Sequence, residues 1–567
     1  MFNFNSIFYM LSSIEGEYSS VPVPFGFDSW LTFWLVVVIS LANAILMVFV
    51  GYRFFQSLQL SGYKLSGYFA WLKENKFEDW GRLLVLSFLS SAALVITNVL
   101  LEDFLIFKIL TYIGLIFYAL FTIVYIVNVF SVSKKTPLKY TGRMTRMIVV
   151  FGVLVFALTY FIMELSVINI PHFSHGIIGV TPLFVPLIVV LAYLITWPFE
   201  TLYNKSFVKK AKAKLSEYDK LIKIGITGSY AKTSVKNILH TLLSEKYNVV
   251  ASPHSYNTPL GLSRTILEDL KPSTQIFIAE MGARYVGDIR ELALMVEPTY
   301  GIITATGNQH LATFGTVENV AKTKFELADF VWSRGGKMFF SSDSNINILK
   351  PDDNLECRFA LSGLKQGELV LSGEPKVTAS GSEFTILYNK KEIKCKTKLL
   401  GKHNISNILL CASVALEFGL TLDEIARGIE KLAPTAHRLA IVPSSQSLVV
   451  IDDAYNGSVE GAKAGLEVLK EFEGKKFVIT PGLVELGSEQ FNSNFEFGIN
   501  TAKVADYCII TGITNYEAIA AGLEFGGFEK SHILRAGSVS QAVELASMLS
   551  SPGDVYLFEN DLPDNYS

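Results

Sequence analysis

The first two hundred positions carry a different hydrophobic pattern from the rest of the chain. Apolar runs of about twenty residues, the length that takes a helix across a bilayer, recur at Leu31–Val50, Leu83–Leu101, Phe104–Phe130, Met147–Met163 and Ile177–Trp197. Short polar connections separate them. This pattern predicts an α-helical transmembrane bundle of about five spans within residues 1–200. From Leu221 the pattern changes to short buried-strand runs alternating with amphipathic helical segments, which predicts α/β domains with parallel sheets. Between residues 350 and 400 short alternating runs (Leu369-Val-Leu, Phe384-Thr-Ile-Leu, Cys395-Lys-Thr-Lys-Leu) add a β-rich section.

Charge placement orients the apolar half. No Lys or Arg lies among the first 28 residues, so there is no basic region of a cleaved signal peptide. Arg53, Lys64, Lys73, Lys76 and Arg82 fill the first connection, and Lys134, Lys135, Lys139, Arg143 and Arg146 the third. The second connection and the segment 166–176 have neither residue. Lys205, Lys209, Lys210, Lys212 and Lys214 follow the last run. The positive-inside rule then puts the N-terminus outside and everything after Glu200 in the cytoplasm of a plasma-membrane protein. Lys108 and Glu164 sit near span ends, where they can snorkel, so anchoring and substrate positioning are favoured over transport. The totals, 49 basic against 52 acidic residues, give no field for nucleic acid. Four scattered cysteines with no C-x-x-C pair indicate neither a zinc site nor a disulfide framework.

Candidate chemistry begins where the soluble pattern begins. Lys223-Ile-Gly-Ile-Thr227 reads as a buried strand running into Thr227-Gly-Ser-Tyr-Ala-Lys-Thr-Ser-Val-Lys236 and a helix. A strand, a tight loop and a helix N-terminus make a phosphate cradle. Backbone N–H groups and the helix dipole face the anion, a lysine (Lys232) reaches the outer phosphates and a hydroxyl (Thr233) holds magnesium. The generic phosphate-loop pattern is not matched, and Ala231 stands where glycine is expected before the lysine. Its methyl is harmless if φ is negative there and strained if φ is positive. The loop alone leaves an ordinary strand-to-helix turn open. Glu280 ends a second strand, the place where carboxylates overlook the ligand crevice of an α/β sheet. Asn404 and Asn407, three apart, share one helical face.

Further segments follow the loop in order: Asn257-Thr-Pro-Leu-Gly261, Ile276-Phe-Ile-Ala-Glu-Met-Gly-Ala283, Gly307-Asn-Gln-His-Leu311 with Phe314-Gly315, and Val320-Ala-Lys-Thr-Lys-Phe-Glu326. Then come Gly401-Lys-His-Asn-Ile-Ser-Asn407, His437-Arg438, Ile451-Asp-Asp-Ala-Tyr-Asn456 and Thr480-Pro-Gly-Leu-Val-Glu-Leu-Gly487. Together with the loop they resemble the Mur ligases, especially the MurF type that adds D-alanyl-D-alanine to a peptidoglycan precursor. The resemblance covers about Ile222 to Tyr566.

The resemblance implies a central P-loop ATPase domain (215–433) and a Rossmann-like C-terminal domain (434–567), hinged at Pro434–Arg438 and joined to the membrane region by a basic linker, 201–214. It implies an ATP-dependent ligase of cell-wall precursor synthesis, which activates a carboxylate as an acyl phosphate for attack by an amine. Thr227, Gly228, Ser229, Tyr230, Ala231, Lys232, Thr233 and Ser234 would cradle ATP, and Asn404 and Asn407 would hold the nucleotide. Arg438 would reach the γ-phosphate. Asp453 would accept from the nucleotide or help place the amine, although Asp452 beside it leaves the assignment between the two open. Thr233, Glu280, His310 and Lys324 would serve two Mg2+ ions, Lys324 as a carbamylated lysine. Asn257 and Thr258 would line the acceptor groove, a turn being the plain alternative for Asn-Thr-Pro.

Two departures stand out. MurF-type enzymes begin with a domain for the UDP-sugar end of the precursor, and membrane spans occupy that place here. The tail Leu557-Phe-Glu-Asn-Asp-Leu-Pro-Asp-Asn-Tyr566 replaces one containing lysine and serine. The expected partners are therefore membrane lipid, a peptide-bearing cell-wall precursor, UDP- or lipid-linked, and a small amino acid or dipeptide. A membrane-associated polyglutamate-type ligase and a non-catalytic ATP-binding membrane scaffold are the alternatives.

Overall fold

The structure is a computed structural model. It describes residues 30–75, 81–99, 106–131, 137–168, 171–253, 256–305, 307, 311–341, 369–435, 437–442, 448–454, 457–484 and 486–560. The chain divides into two compact units, Met1–Tyr203 and Asn204–Ser567.

The described elements of the first unit are all helices: α1 (Trp30–Val50), α2 (Tyr52–Leu60), α3 (Leu65–Glu74), α4 (Gly81–Val99), α5 (Ile106–Ser131), α6 (Gly142–Ile168) and α7 (Pro171–Ser216), whose last residues belong to the second unit. Each of the five apolar runs lies wholly or largely in a helix. Phe33–Val50, Gly142–Glu164 and Ile178–Ser216 are long and apolar enough to cross a membrane, while Gly81–Ala92 and Leu115–Ser131 are shorter apolar stretches. Three candidate spans therefore stand among the described residues, against the five expected. Residues 201–214, read above as a linker, are helical as part of α7. Within the bundle Asn43 ties three other helices together. Its Nδ2 donates to Thr159 Oγ1 at 2.9 Å and its Oδ1 accepts from the Tyr118 hydroxyl at 2.6 Å, with Thr181 alongside. Hydrogen bonds of this kind between helices satisfy polar side chains that packing has buried.

The second unit contains two parallel sheets. The first is built from β1 (Ile222–Thr227), α8 (Lys232–Leu243), β2 (Val249–Ala251), α9 (Pro259–Glu268), β3 (Ile276–Glu280), α10 (Asp288–Val296), β4 (Tyr300–Ile303), α11 (Leu311–Phe314), α12 (Val317–Ser333) and β5 (Lys337–Phe340). Its strand order is β2-β3-β1-β4-β5, all parallel. Both faces are covered, which is why the strands read as unbroken apolar runs. Ile224, Ile226 and Ile278 pack into one core, and Phe277 and Ala279, pointing the other way, into a second. The β-rich section follows as an antiparallel sheet of β6 (Leu369–Leu371), β7 (Lys376–Thr378), β8 (Gly381–Tyr388) and β9 (Lys391–Thr397), and then α13 (Lys402–Glu417) and α14 (Leu422–Glu430).

The second parallel sheet comprises β10 (Ala440–Val442), β11 (Val449–Asp453), α15 (Val459–Lys470), β12 (Lys476–Thr480), α16 (Gln490–Ala502), β13 (Tyr507–Thr511), α17 (Tyr516–Phe525), β14 (Ile533–Ala536), α18 (Val539–Leu549) and β15 (Val555–Glu559). The order is β10-β11-β15-β12-β13-β14, with only β10 antiparallel. The last strand is thus inserted between β11 and β12, and Asp453 is brought opposite Glu559 in register.

Helices α16 and α17 cross at glycines. A Cβ on Gly522 would lie 2.0 Å from the Phe495 carbonyl oxygen, and one on Gly498 2.4 Å from that of Ile519. Backbone cannot yield there as a flexible side chain can. Gly522→Ala should therefore destabilise the protein by about 1–3 kcal/mol, the usual range for overpacking. A thermal unfolding comparison in detergent checks this; an unchanged midpoint would show that the helices slide apart freely.

Candidate functional site

The site assembles where β1 and β3 end. β1 delivers the chain to Gly228, whose φ of 155° and close approach to Thr304 leave no room for a side chain. The loop is then held to the strand beside it. Ser229 N donates to Ala305 O at 2.6 Å, Gly307 N donates to Ser229 Oγ at 3.0 Å, and Thr304 Oγ1 donates to Tyr230 O at 2.5 Å. Ala231, at φ 63°, turns the backbone through the left-handed region so that α8 can start at Lys232. The first intrahelical bond of α8 runs from Val235 N to Ala231 O. The amides of Lys232, Thr233 and Ser234 therefore precede the helix ladder, the arrangement that receives an anion.

Lys232 folds back over this loop, its Nζ donating to Gly228 O at 2.7 Å and Ser229 O at 2.8 Å. Burial lowers its pKa to about 8, against the pull of Glu280. Thr233 Oγ1 lies 3.2 and 3.1 Å from the two Glu280 carboxylate oxygens. Lys236, one turn on, forms an ion pair with Glu280 at 3.0 Å in which both side chains are 2% exposed. Asn257 Nδ2 donates to the same carboxylate at 3.3 Å. Lys324, on α12, is buried, with the Phe314 ring 5.9 Å from its Nζ. Desolvation, reinforced by the nearby Lys232, lowers its pKa to about 7.

A cleft opens from the loop toward the second sheet. Tyr230, Ala231, Ser234, Asn404, Asn407 and Arg438 line it, with Asp453 and Glu559 at its far side. Arg438 is presented by a bent segment, since His437 and Leu439 on either side have φ of 59° and 46°. Three contacts hold that bend: His437 Nδ1 meets Asp452 Oδ2 at 2.7 Å, Leu439 N donates to Asp453 Oδ1 at 3.2 Å, and Asn237 Nδ2 donates to Thr435 Oγ1 at 3.0 Å. Burial raises the Asp453 pKa to about 6, although Arg438 opposes the shift.

The structure thus brings together Gly228 to Ser234, Glu280, Asn257 and Lys324 at one end, and Asn404, Asn407, Arg438 and Asp453 along the cleft. Thr227 and Thr258 are engaged in the fold instead. The Thr227 hydroxyl donates to Met281 O, and Thr258 caps α9 by accepting from Gly261 N. His310, Tyr455 and Asn456 lie outside the described residues. Of the paired aspartates, Asp453 faces the cleft and Asp452 binds the hinge histidine. Three residues were not singled out from the sequence. Lys236 closes the quoted loop motif and His403 lies within Gly401–Asn407, so both could have been found there. Burial lowers the His403 pKa to about 4. Glu559 gave no signal beyond the altered tail.

Magnesium sites commonly take one or two carboxylates and leave the remaining positions to water and substrate phosphates. Glu280 with the Thr233 hydroxyl fits that pattern, and among the described residues no cluster of three His, Cys, Asp or Glu side chains competes with it. Ala231 answers the question its sequence position raised, since its φ is positive and the methyl is strained. Ala231→Gly should stabilise the chain by about 1 kcal/mol, the cost of a left-handed alanine. A higher thermal midpoint checks this, whereas a lower one would show that the methyl's packing outweighs the strain.

This arrangement has counterparts in known proteins. Residues 226–415 match the Mur ligase middle domain and residues 437–559 the Mur ligase glutamate ligase domain. The UDP-N-acetylmuramoyl-tripeptide–D-alanyl-D-alanine ligase of Bacillus subtilis is 26% identical over 356 residues, covering 62% of this chain and 75% of the relative. That of Treponema pallidum is 30% identical over 313 residues, covering 53% and 62%. The chain therefore spans between about three fifths and three quarters of the length of these two relatives. The fold is shared with MurF of Thermotoga maritima, solved in complex with ADP, at a TM-score of 0.55, 24% identity and coverage of 64% and 81%. MurF of Acinetobacter baumannii gives 0.55, 20%, 64% and 78%. Two matches in the order middle then C-terminal, over more than half the residues and embracing both ends of the cleft, leave one assignment: the chain belongs to the Mur ligase family of ATP-dependent acid–amino-acid ligases, and is MurF-like.

Proposed function

We propose that this chain is a membrane-anchored, MurF-like ligase of peptidoglycan precursor synthesis. It would join the carboxylate of a peptide-bearing precursor to the amine of an amino acid or dipeptide at the expense of ATP. The observation that carries the reading is the convergence of Thr233, Lys236 and Asn257 on the Glu280 carboxylate, directly beside the amides that open α8. The three apolar helices long enough to span a membrane support the anchor, with the catalytic unit, residues 215–433 and 434–567, on the cytoplasmic side. The acceptor would be bound near the membrane, as a UDP- or lipid-linked muramyl peptide.

Each residue has a task set by charge. A carboxylate is a poor electrophile, and ATP supplies the phosphoryl group that converts it to an acyl phosphate. The Lys232 ammonium, held at the loop mouth, offsets negative charge on the phosphates. The Thr233 hydroxyl and Glu280 would hold magnesium, which neutralises phosphate oxygens. Arg438 offers a planar fork suited to a phosphoryl group. Asn404 and Asn407 lie buried on the α13 face of the cleft and would fix the nucleotide. Asn257, bonded to Glu280, would lie between the metal and the acceptor. Lys324 would complete a second metal site as its carbamate, because a bare ammonium repels a cation and a carbamate attracts one.

Phosphate release by the full-length protein in detergent tests the assignment. Magnesium ATP would be offered with UDP- or lipid-linked muramyl peptides and with D-alanyl-D-alanine or single amino acids. Release should require both the peptide and an amine, and Lys232→Ala should lower it by about a hundredfold or more, as loss of a charge-stabilising group does. No turnover with any pair, together with no ATP binding, overturns the proposal.

The carbamate has its own pH signature. A lysine whose folded pKa is lowered to about 7 is uncharged above that pH, while an unfolded one stays protonated to about 10. Only the neutral amine reacts with carbon dioxide, so the carbon NMR signal of a carbamate from labelled bicarbonate should grow as pH rises through about 7. It should vanish in Lys324→Ala, whose lost activity a short-chain carboxylic acid should restore. A signal unchanged by that substitution removes the carbamate.

A further inference from the structure

Helix α7 is 46 residues long, more than twice the roughly twenty residues that cross a bilayer, and its apolar run ends at Trp197. The part that follows carries Lys205, Lys209, Lys210, Lys212 and Lys214. The structure divides these lysines into two groups. Lys212 and Lys214 are engaged by the catalytic unit. Lys212 Nζ donates to Leu294 O at 2.9 Å and pairs with Glu297 at 3.2 Å. Lys214 Nζ donates to Leu267 O and Leu270 O, both at 3.0 Å. These carbonyls lie at or just past the C-terminal ends of α9 and α10, where the helix dipole favours a cation. Ala211 and Leu215, on the same stretch of α7, are buried in one core with Leu262, Leu270 and Leu292.

Lys205, Lys209 and Lys210 are exposed and take no part in that core. No acidic residue stands three or four positions from any of them, and Lys205 and Lys209, four apart, repel each other along the helix surface. Helical spacing places Lys209 and Lys210 in one stripe with Phe199, Leu202 and Tyr203, on the side of α7 away from Ala211 and Leu215. Phe199, Leu202 and Tyr203 are largely exposed. Read outward from the apolar run, the stripe is therefore apolar first and cationic after. From Tyr203 to Lys209 is about 9 Å along the axis at 1.5 Å per residue. Helical side chains lean toward the helix N-terminus, so these lysines lean back along α7 and shorten that distance. The headgroup layer on either side of the hydrocarbon is about 5–7 Å deep. An acidic protein surface would meet the lysines and leave Phe199 and Leu202 in water. A bilayer carrying anionic lipid offers an apolar layer and then a layer of phosphates, in the order in which the stripe presents their partners.

Resting on the membrane anchor proposed above, we propose that this stripe of α7 is a docking surface for anionic phospholipid of the cytoplasmic leaflet. Phe199, Leu202 and Tyr203 lie against the lipid below the headgroups, and Lys205, Lys209 and Lys210 hold the phosphates. The lysines of one helix thus serve two partners: the ends of α9 and α10 take Lys212 and Lys214, and the lipid takes the rest.

Lipid retention tests this. Full-length protein is reconstituted in vesicles of equal phosphatidylglycerol and phosphatidylcholine, extracted in mild detergent and washed, and the lipid that stays bound is quantified by mass spectrometry. Wild-type protein should retain phosphatidylglycerol in excess. Lys205→Gln, Lys209→Gln and Lys210→Gln together should lower the retained ratio by about fivefold or more, since one lysine at an anionic surface accounts for that much. Lys205→Arg, Lys209→Arg and Lys210→Arg together should keep it. Lys212→Gln with Lys214→Gln should leave the ratio unchanged and lower the thermal midpoint instead. A wild-type ratio near one, or a triple glutamine variant that matches the wild type, overturns the docking surface. So does a ratio that falls as far with Lys212→Gln and Lys214→Gln, because the preference would then follow total charge and not the stripe. Protein stripped from the vesicles by alkaline carbonate counts against the anchor itself, and the retained ratio still decides the stripe.

Discussion

A carboxylate at the end of β3 has to be answered by positive charge, and much of the catalytic unit is arranged around that need. Glu280 ends β3, the neighbour of the central strand in a five-stranded sheet, with 1% of its surface exposed. Removing one partner of such a pair leaves an uncompensated buried charge, at a cost of about 3–5 kcal/mol. Lys236 supplies the charge, and Thr233 and Asn257 supply further donors. Thr233 and Lys236 are three apart, so one face of α8 carries both. To present that face to β3, α8 must begin almost at once after β1. The turn between them is then so tight that Gly228 and Ala231 both take positive φ. The phosphate-binding shape of the loop and the ion pair beneath it are consequences of the same short connection.

The second sheet is held to the first by a segment under comparable strain. His437 and Leu439 adopt left-handed conformations that bulky residues rarely take. Each is restrained by an aspartate at the end of β11, His437 by Asp452 and Leu439 by Asp453. Between them Arg438 is turned into the cleft. Strain of this kind persists where surrounding contacts over-determine it, and it gathers at functional positions. The adjacent aspartates divide the work: one fixes the bend, and the other faces the ligand side with its proton affinity raised by burial.

Much of this was legible in the sequence, for reasons that differ from residue to residue. Parallel strands buried on both faces leave unbroken apolar runs, so β1 and β3 could be read directly, and Lys232, Thr233 and Glu280 followed from their positions at strand ends. Asn404 and Asn407 were readable from helical spacing. The sign of φ at Ala231 was not, since it depends on where α8 starts, which only the packing of Glu280 decides. Thr227 and Thr258 have side chains of the right chemistry, but the Thr227 hydroxyl is spent on the Met281 carbonyl of the neighbouring segment and Thr258 on a local helix cap, as short hydroxyl side chains often are. The pairing of Asp453 with Glu559 could not be read at all. It joins residues more than a hundred positions apart through a strand inserted between β11 and β12, and strand order is set by the whole sheet.

That insertion also gives the cleft its polarity. At the loop end three lysines, Lys232, Lys236 and Lys324, stand with the Glu280 carboxylate, and desolvation weakens the hold of Lys232 and Lys324 on their protons. On the side of the second sheet burial strengthens the hold of Asp453 and Glu559 on theirs. Both shifts have one cause, the cost of charge away from water, and they act in opposite directions on acids and bases. An anionic phosphate arriving at the first end restores the charge its lysines tend to lose. Burial of this kind also keeps water away, and an acyl phosphate is open to attack by water.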